Sequence, residues 1–305
     1  MGRQAVRSQG VKLLVTGKNG QVGFELTRAL SVLGEVIAVD RRTCDMADAE
    51  AIRAMVRQVQ PDVIVNAAAY TAVDKAESEK QLASAINAVA PGVLGEEAAK
   101  LDALVVHYST DYVFNGSKSG AYTENDTADP QSTYGQSKLD GERALIKANR
   151  KHLILRTSWV YGAHGGNFAK TMLRLAADRE KLTVVADQFG APTSAALLAD
   201  LTAQLVGRYA REGAEKFPYG VYHAVNSGET HWCDYARFVV STAIAAGKPL
   251  KTTPDNITPI TTAQYPTPAK RPANSRLDTK KFRNTFGLRL PPWQESLQQV
   301  IRQML

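Results

Sequence analysis

The chain has 305 residues, enough for two domains or one large domain with a lobe, and its 44% hydrophobic and 22% charged residues are those of a globular protein. No apolar run reaches a membrane span; the cysteines, Cys44 and Cys233, make neither a disulfide framework nor a CxxC metal motif; and the polar, basic first ten residues lack the apolar core of a signal peptide and read as a flexible tail. The net charge of +7 favours a phosphate-bearing small ligand over nucleic acid, because the basic residues are scattered except at Arg41-Arg42, Lys270-Arg271 and Lys280-Lys281, so the expectation is a cytoplasmic protein without nucleic-acid or membrane partners.

Lys12 to Thr16 (KLLVT) predicts a buried strand, and Gln21 to Leu33 predicts a helix through Val22, Leu26, Ala29, Leu30 and Leu33, ended by Gly34. TGKNGQVG joins them. Gly17 permits a tight turn, Gly20 lets a diphosphate approach the backbone, and Gly23 permits close helix–strand packing. The following helix start offers amide donors and a positive dipole end. Glu35 to Asp40 predicts the second strand, and Asp40 is the acid expected about 20 residues beyond such a turn. A carboxylate suits the ribose 2′-hydroxyl of NAD, whereas Arg41 and Arg42 suit the 2′-phosphate of NADP or are solvated loop charge. NADPH is favoured, with NADH usable.

Ala49 to Gln60 predicts a helix, Asp62 to Asn66 a strand, Gln81 to Leu101 a long helix, and Leu104 to Ser109 the next strand. The strand runs into Thr110 and Asp111, where catalytic groups collect. Thr110 can hydrogen-bond a carbonyl or a phenol, Ser109 reads as a backbone cap, and Asp111 is either a substrate contact or a turn residue. Tyr134 to Asn149 predicts a helix that opens on Tyr134-Gly-Gln-Ser-Lys138, placing phenol and amine on one face. A lysine ammonium and a nicotinamide's positive charge beside a phenol favour the phenolate, lowering its pKa and suiting it to acid–base work. His152 to Thr157 is the next strand. The alternation predicts an α/β, doubly wound parallel Rossmann sheet over residues 11–160.

Prolines crowd the second half, and the rhythm breaks after Tyr161. Residues 161–189 and 231–305 read as a smaller substrate-binding lobe, with 190–230 returning to the main domain through a strand at Val221 to Asn226. His231 to Ala246 reads as a helix. Trp159 is either a substrate contact or a wedge between lobes, and Arg271 and Arg276 are either phosphate ligands or surface charge. His107, His152 and His231 read as core or surface histidines, and none is spaced for zinc.

Taken together, GKNGQVG, PDVIVNAAAYTAVDKAE, VVHYSTDYVF, YGQSKLDGE, LRTSWVYG, NFAKTML, DQFGAPT and YPTPAKRPANSRL resemble the dTDP-4-dehydrorhamnose reductase family of extended short-chain dehydrogenase/reductases, over residues 11–305. The resemblance implies reduction of the C4 keto group of dTDP-4-dehydro-L-rhamnose to dTDP-L-rhamnose. It gives Thr110, Tyr134 and Lys138 the catalytic places, with Tyr134 and Lys138 also against the cofactor. Thr110, Asp111 and Trp159 take sugar-contact places, and Arg271 is expected beside them from its charge. Gly20, Gln21, Val22, Asp40, Asp45, Met46, Ala69, Tyr70 and Thr71 take cofactor places, joined by Gly17, Gly23 and Arg41 from the turn and charge readings above. Glutamates that bridge some members as Mg2+-linked dimers look here like Ala196 and Gln294, so no metal and a monomer or weak homodimer are expected. Tyr112 stands where a related dehydratase needs an acid. The remaining alternatives are a reductase of another dTDP-4-keto-6-deoxy sugar, an epimerase that retains its NAD, and a non-catalytic NADP-binding regulatory subunit.

Overall fold

A computed structural model describes residues 10–305; the expected tail falls almost wholly outside the described residues. Six strands form the main sheet: β1 (Val11–Thr16), β2 (Gly34–Val39), β3 (Val63–Asn66), β4 (Leu104–Thr110), β5 (His152–Thr157) and β10 (Gly220–His223). Their order is β10-β5-β4-β3-β1-β2, and every neighbouring pair is parallel. Runs such as Leu13–Leu14–Val15 and Val63–Ile64–Val65 are apolar at every position because both faces are covered.

One face packs on α1 (Gln21–Leu30), α8 (Ala195–Glu212) and α10 (Lys280–Phe286), through Leu26, Leu30, Leu198, Leu205, Phe282 and Phe286. The other packs on α2 (Ala49–Val59), α5 (Ala90–Lys100) and α6 (Thr133–Ala148), through Ile52, Val56, Leu94 and Leu145. A second core gathers α7 (Phe168–Asp178), α9 (Trp232–Ala245) and α11 (Trp293–Met304) around the parallel pair β7 (Leu182–Val185) and β12 (Ile257–Ile260). Two-residue strands complete the lobe: β6 (Val160–Tyr161) pairs with β9 (Thr193–Ser194), and β8 (Phe189–Gly190) with β11 (Thr230–His231).

The parallel alternation stands, but several elements differ from the sequence reading. The first helix stops at Leu30, three residues short, and turns lead into β2. The long helix expected at 81–101 is α4 (Lys80–Ser84), a π-helical turn at Ala85–Val89, and α5. Within the segment read as lobe, Phe282, Phe286 and Leu290 pack into the main-sheet core instead. α3 (Val73–Ala76) is a single short turn. Strand order reverses between β1 and β3, leaving a crevice at their carboxyl ends where doubly wound sheets bind ligands.

Candidate active site

The crevice begins at the turn after β1. Gly17 has φ +73°, and a Cβ there would meet Ala68 N and Cα at 2.8 and 2.9 Å, so only glycine fits. A Cβ on Gly23 would collide with the Gly17 carbonyl oxygen, which keeps α1 tight against the turn. α1 starts after Gly20 with no side-chain cap and no acid in its first turn. By contrast, Asp48 caps α2 by accepting from Glu50 N and Ala51 N. The first amides of α1 are therefore available to an anion, as a dinucleotide diphosphate requires. Val22 packs against the core, and Gln21 turns toward the lobe, donating to Val160 O at 3.3 Å and accepting from Asn167 at 3.0 Å.

Asp40 closes β2. It accepts from Arg42 N at 3.0 Å and Asn19 at 3.1 Å, with Lys18 Nζ 3.6 Å away. Burial would raise its pKa, but these hydrogen bonds, Thr43 N–H and the Lys18 charge hold it below the ordinary value. Arg41 is exposed and pairs with Asp45 at 3.3 Å; Asp45 also accepts from Ala47 N. Met46 is buried in the core, leaving its backbone as the part that could face a ligand. Ala69, Tyr70 and Thr71 follow β3. Asn87, inside the π turn, clamps the Tyr70 backbone at 2.8 and 3.0 Å and donates to Ser137 Oγ of α6 at 3.0 Å. The π turn thus ties the cofactor-side loop to the helix that carries Tyr134 and Lys138.

α6 is set at its start by Ser132, which accepts from Gly135 N, and by Glu77, which accepts from Thr133 N and Oγ1 at 2.8 Å each. Tyr134 is half-buried and meets Tyr112 edge-on at 5.5 Å. Burial pushes its phenol up to about 12, the Thr110 hydroxyl opposes the shift, and the Asp111 charge adds to it. The lowering expected from the sequence needs the nicotinamide's positive charge beside the lysine ammonium; in the chain alone burial dominates and favours the protonated phenol, the form a proton donor needs. Thr110 ends β4, accepts from Tyr112 N at 3.2 Å and donates to Asp111 Oδ1 at 3.1 Å. Asp111 is buried with Oδ2 unpartnered, and burial lifts its carboxyl to about 6 against hydrogen bonds from Ser275 and Thr110. Thr157 Oγ1, beside Thr110 across the β4–β5 pair, is also buried without a partner. Unpartnered polar atoms at these strand ends suit a polar ligand.

Lys138 is 2% exposed, and Nζ donates to Tyr108 O at 2.7 Å and lies 3.2 Å from His107 Nε2. His107 is a core histidine as expected, but it touches the candidate lysine. Nothing in VVHYS singled out that contact, because it depends on how α6 lies across β4.

Trp159 adopts φ +48°, stacks on Trp232 at 3.7 Å, and lies where a Cβ on Gly190 would come within 2.8 Å of its ring. It therefore packs against the lobe beside the β5 end. Arg271 makes a two-pronged pair with Asp74 at 3.1 and 2.9 Å, and Asp74 also accepts from Ala269 N. Arg276 stands apart, engaged by Asn274, Glu229 and the Ser119 carbonyl. The structure thus gathers Thr110, Asp111, Tyr134 and Lys138, places the glycine turn and Asp40 along the same crevice, and commits Arg276 elsewhere. Lys18, Asp74, Asn87 and His107 are the contributors the sequence did not reveal. No group of three His, Cys, Asp or Glu side chains suited to a metal occurs among the described residues, and no helix among them is long and apolar enough to cross a membrane.

Comparison with known proteins finds a family profile that matches nearly the whole chain. The profile described as RmlD substrate binding domain matches residues 11–305. The chain is 49% identical over 298 residues to a dTDP-4-dehydrorhamnose reductase of Escherichia coli, covering 96% of this chain and 98% of that protein. It is 46% identical to one of Burkholderia thailandensis, covering 97% and 99%. The crystal structure of a dTDP-4-dehydrorhamnose reductase from Bacillus anthracis in complex with NADP matches with a TM-score of 0.88 and 34% identity, covering 96% of this chain and 99% of that one.

Proposed function

The chain belongs to the dTDP-4-dehydrorhamnose reductase family, and from that premise we propose that the crevice around Tyr134 reduces the C4 keto group of dTDP-4-dehydro-L-rhamnose to give dTDP-L-rhamnose. The observation that carries the reading is the convergence of a phenol, a buried lysine and a strand-end hydroxyl beside an uncapped helix start and its glycine turn. When bound, NADPH supplies the hydride. Gly17, Gly20, Gln21, Val22 and Gly23 would hold its diphosphate. Asp40, Arg41, Asp45 and Met46 would hold its adenosine ribose, with Lys18 close enough to Asp40 to take part. Ala69, Tyr70 and Thr71 would line the middle of the dinucleotide, and Lys138 its nicotinamide ribose.

In this reading Tyr134 delivers its proton to the oxygen on which charge grows, and Thr110 offers that oxygen a hydrogen bond. Thr110 reaches it by turning its hydroxyl from Asp111, whose carboxylate then faces the sugar. Trp159, held by Trp232, forms a wall, and Arg271 faces the diphosphate from a position set by Asp74. We further propose a cytoplasmic enzyme, monomeric or weakly dimeric, that needs no metal. The test supplies dTDP-4-dehydro-L-rhamnose with NADPH and identifies the sugar. Sugar-dependent NADPH loss with dTDP-L-rhamnose as product supports the reading, and NADPH binding without turnover supports the regulatory-subunit alternative instead.

A further inference from the structure

Lys138 ends a buried hydrogen-bond chain whose direction can be read atom by atom. The Ala68 backbone N–H can only donate, and it donates to Thr16 Oγ1 at 3.2 Å. Thr16 Oγ1 lies 2.6 Å from Asn66 Oδ1, a spacing natural for O–H···O and short for N–H···O, so the hydroxyl donates to the amide oxygen. The amide NH₂ of Asn66 therefore faces His107 Nδ1 at 3.0 Å, and Nδ1 is the acceptor. A neutral imidazole carries one proton, which must then sit on Nε2. With Nδ1 accepting, the ring is neutral, and burial, which pushes the His107 pKa well below its ordinary value, favours the same form.

The Nε2–H thus points at Lys138 Nζ across 3.2 Å. An ammonium offers three donors and no lone pair, and would oppose it donor to donor. A neutral amine accepts from Nε2–H and still donates to Tyr108 O at 2.7 Å. We propose that the cofactor-free chain holds Lys138 as a neutral amine at mildly alkaline pH, that NADPH binding loads it with one proton from solvent, and that His107 is the positioning residue enforcing the unloaded state. This deepens the reductase reading and rests on it for the cofactor.

The charged groups around the lysine agree. On its own helix, Glu142 favours the ammonium, but Glu142 is bound two-pronged to Arg156 of β5 at 2.9 and 2.6 Å, so that pair is close to neutral. Tyr134 on the same helix stays protonated, and Asp111 beyond β4 is ionised only above about 6. Burial pushes the Lys138 ammonium down to about 8, with Glu142 opposing the shift. The cofactor's phosphates and ribose hydroxyls add negative charge and acceptors, both of which favour the ammonium.

The experiment labels lysine Cε with ¹³C, assigns Lys138 by its disappearance in Lys138→Arg, and titrates that signal in the whole chain with and without NADPH. The proposal predicts a free-chain midpoint more than about one pH unit below the solvent lysines near about 10.4, rising by at least about one unit on saturation. In His107→Leu, which removes the Nε2–H, the free-chain midpoint rises. A free-chain midpoint equal to the solvent lysines overturns the proposal, as does a depressed midpoint that NADPH leaves unmoved. Both of these outcomes are measured on the wild-type chain, so they decide the matter even where His107→Leu fails to fold. The titration reads a proton rather than turnover, so a depressed midpoint raised by NADPH in a chain that consumes no sugar supports the proton loading and counts against the reductase reading alone.

Discussion

Among single residues, the proposed proton transfer turns on the Tyr134 hydroxyl. Tyr134→Phe removes one oxygen from a ring packed edge-on against Tyr112, so folding and NADPH affinity should survive. Loss of the proton donor should lower turnover by about 10²–10⁴-fold, read beside a fluorescence titration of NADPH. Near-normal turnover would take the phenol out of the mechanism. Residues whose role follows from local chemistry were legible in the sequence: a glycine where φ is +73°, an acid at a strand end, a phenol and an amine four positions apart. Contacts made only by folding were not. Asp74 and Arg271 are 197 residues apart, and His107 meets Lys138 across 31 positions, with no periodicity to announce either.

At the scale of elements, α6 and β5 are joined under the site by the Glu142–Arg156 pair, both side chains under 10% exposed. Breaking one partner leaves the other charged in a dry setting. Glu142→Leu should therefore cost about 3–5 kcal/mol of unfolding free energy in urea, and Glu142→Leu with Arg156→Met should recover most of it. Equal losses in the single and double variants would contradict a paired-charge account. The main helices and strands were readable because their apolar positions repeat with the right period and glycines or caps end them. The π turn at Ala85–Val89 was not, since its extra residue shifts the helical face without changing composition. Two-residue strands such as β6 and β9 carry no period at all.

At the scale of the whole molecule, the order of strands places the crevice, and the buried titratable groups set the pH range over which the fold holds. His223 is buried and its pKa is pushed down to about 3, chiefly by burial and then by Arg156; His107 is likewise held neutral. The unfolded chain protonates both near pH about 6.5, so below that pH it binds more protons than the folded chain. Their contribution is complete above about 6.5 and falls with acidity at about 1.4 kcal/mol per pH unit for each histidine. Asp111, raised to about 6, has the opposite sign: the folded chain takes its proton first, offsetting one histidine from about 6 down to its ordinary carboxylate value. Urea midpoints should therefore drop between pH about 7 and 5, with a shallower slope in His223→Gln, and a flat profile would contradict the buried neutral histidines. The doubly wound architecture was legible from the alternation alone. The packing of Phe282 and Phe286 on the sheet was not, because a short helix reads alike in either lobe. In the proposed reaction the molecule moves a hydride from an exchanging NADPH to the sugar. Supplied with dTDP-4-dehydro-L-rhamnose and NADPH deuterated at both C4 positions, the chain should yield dTDP-L-rhamnose carrying one deuterium at the sugar C4, with an equal amount of NADP+ released. A product without deuterium at C4, or cofactor that stays bound and unchanged, would contradict it.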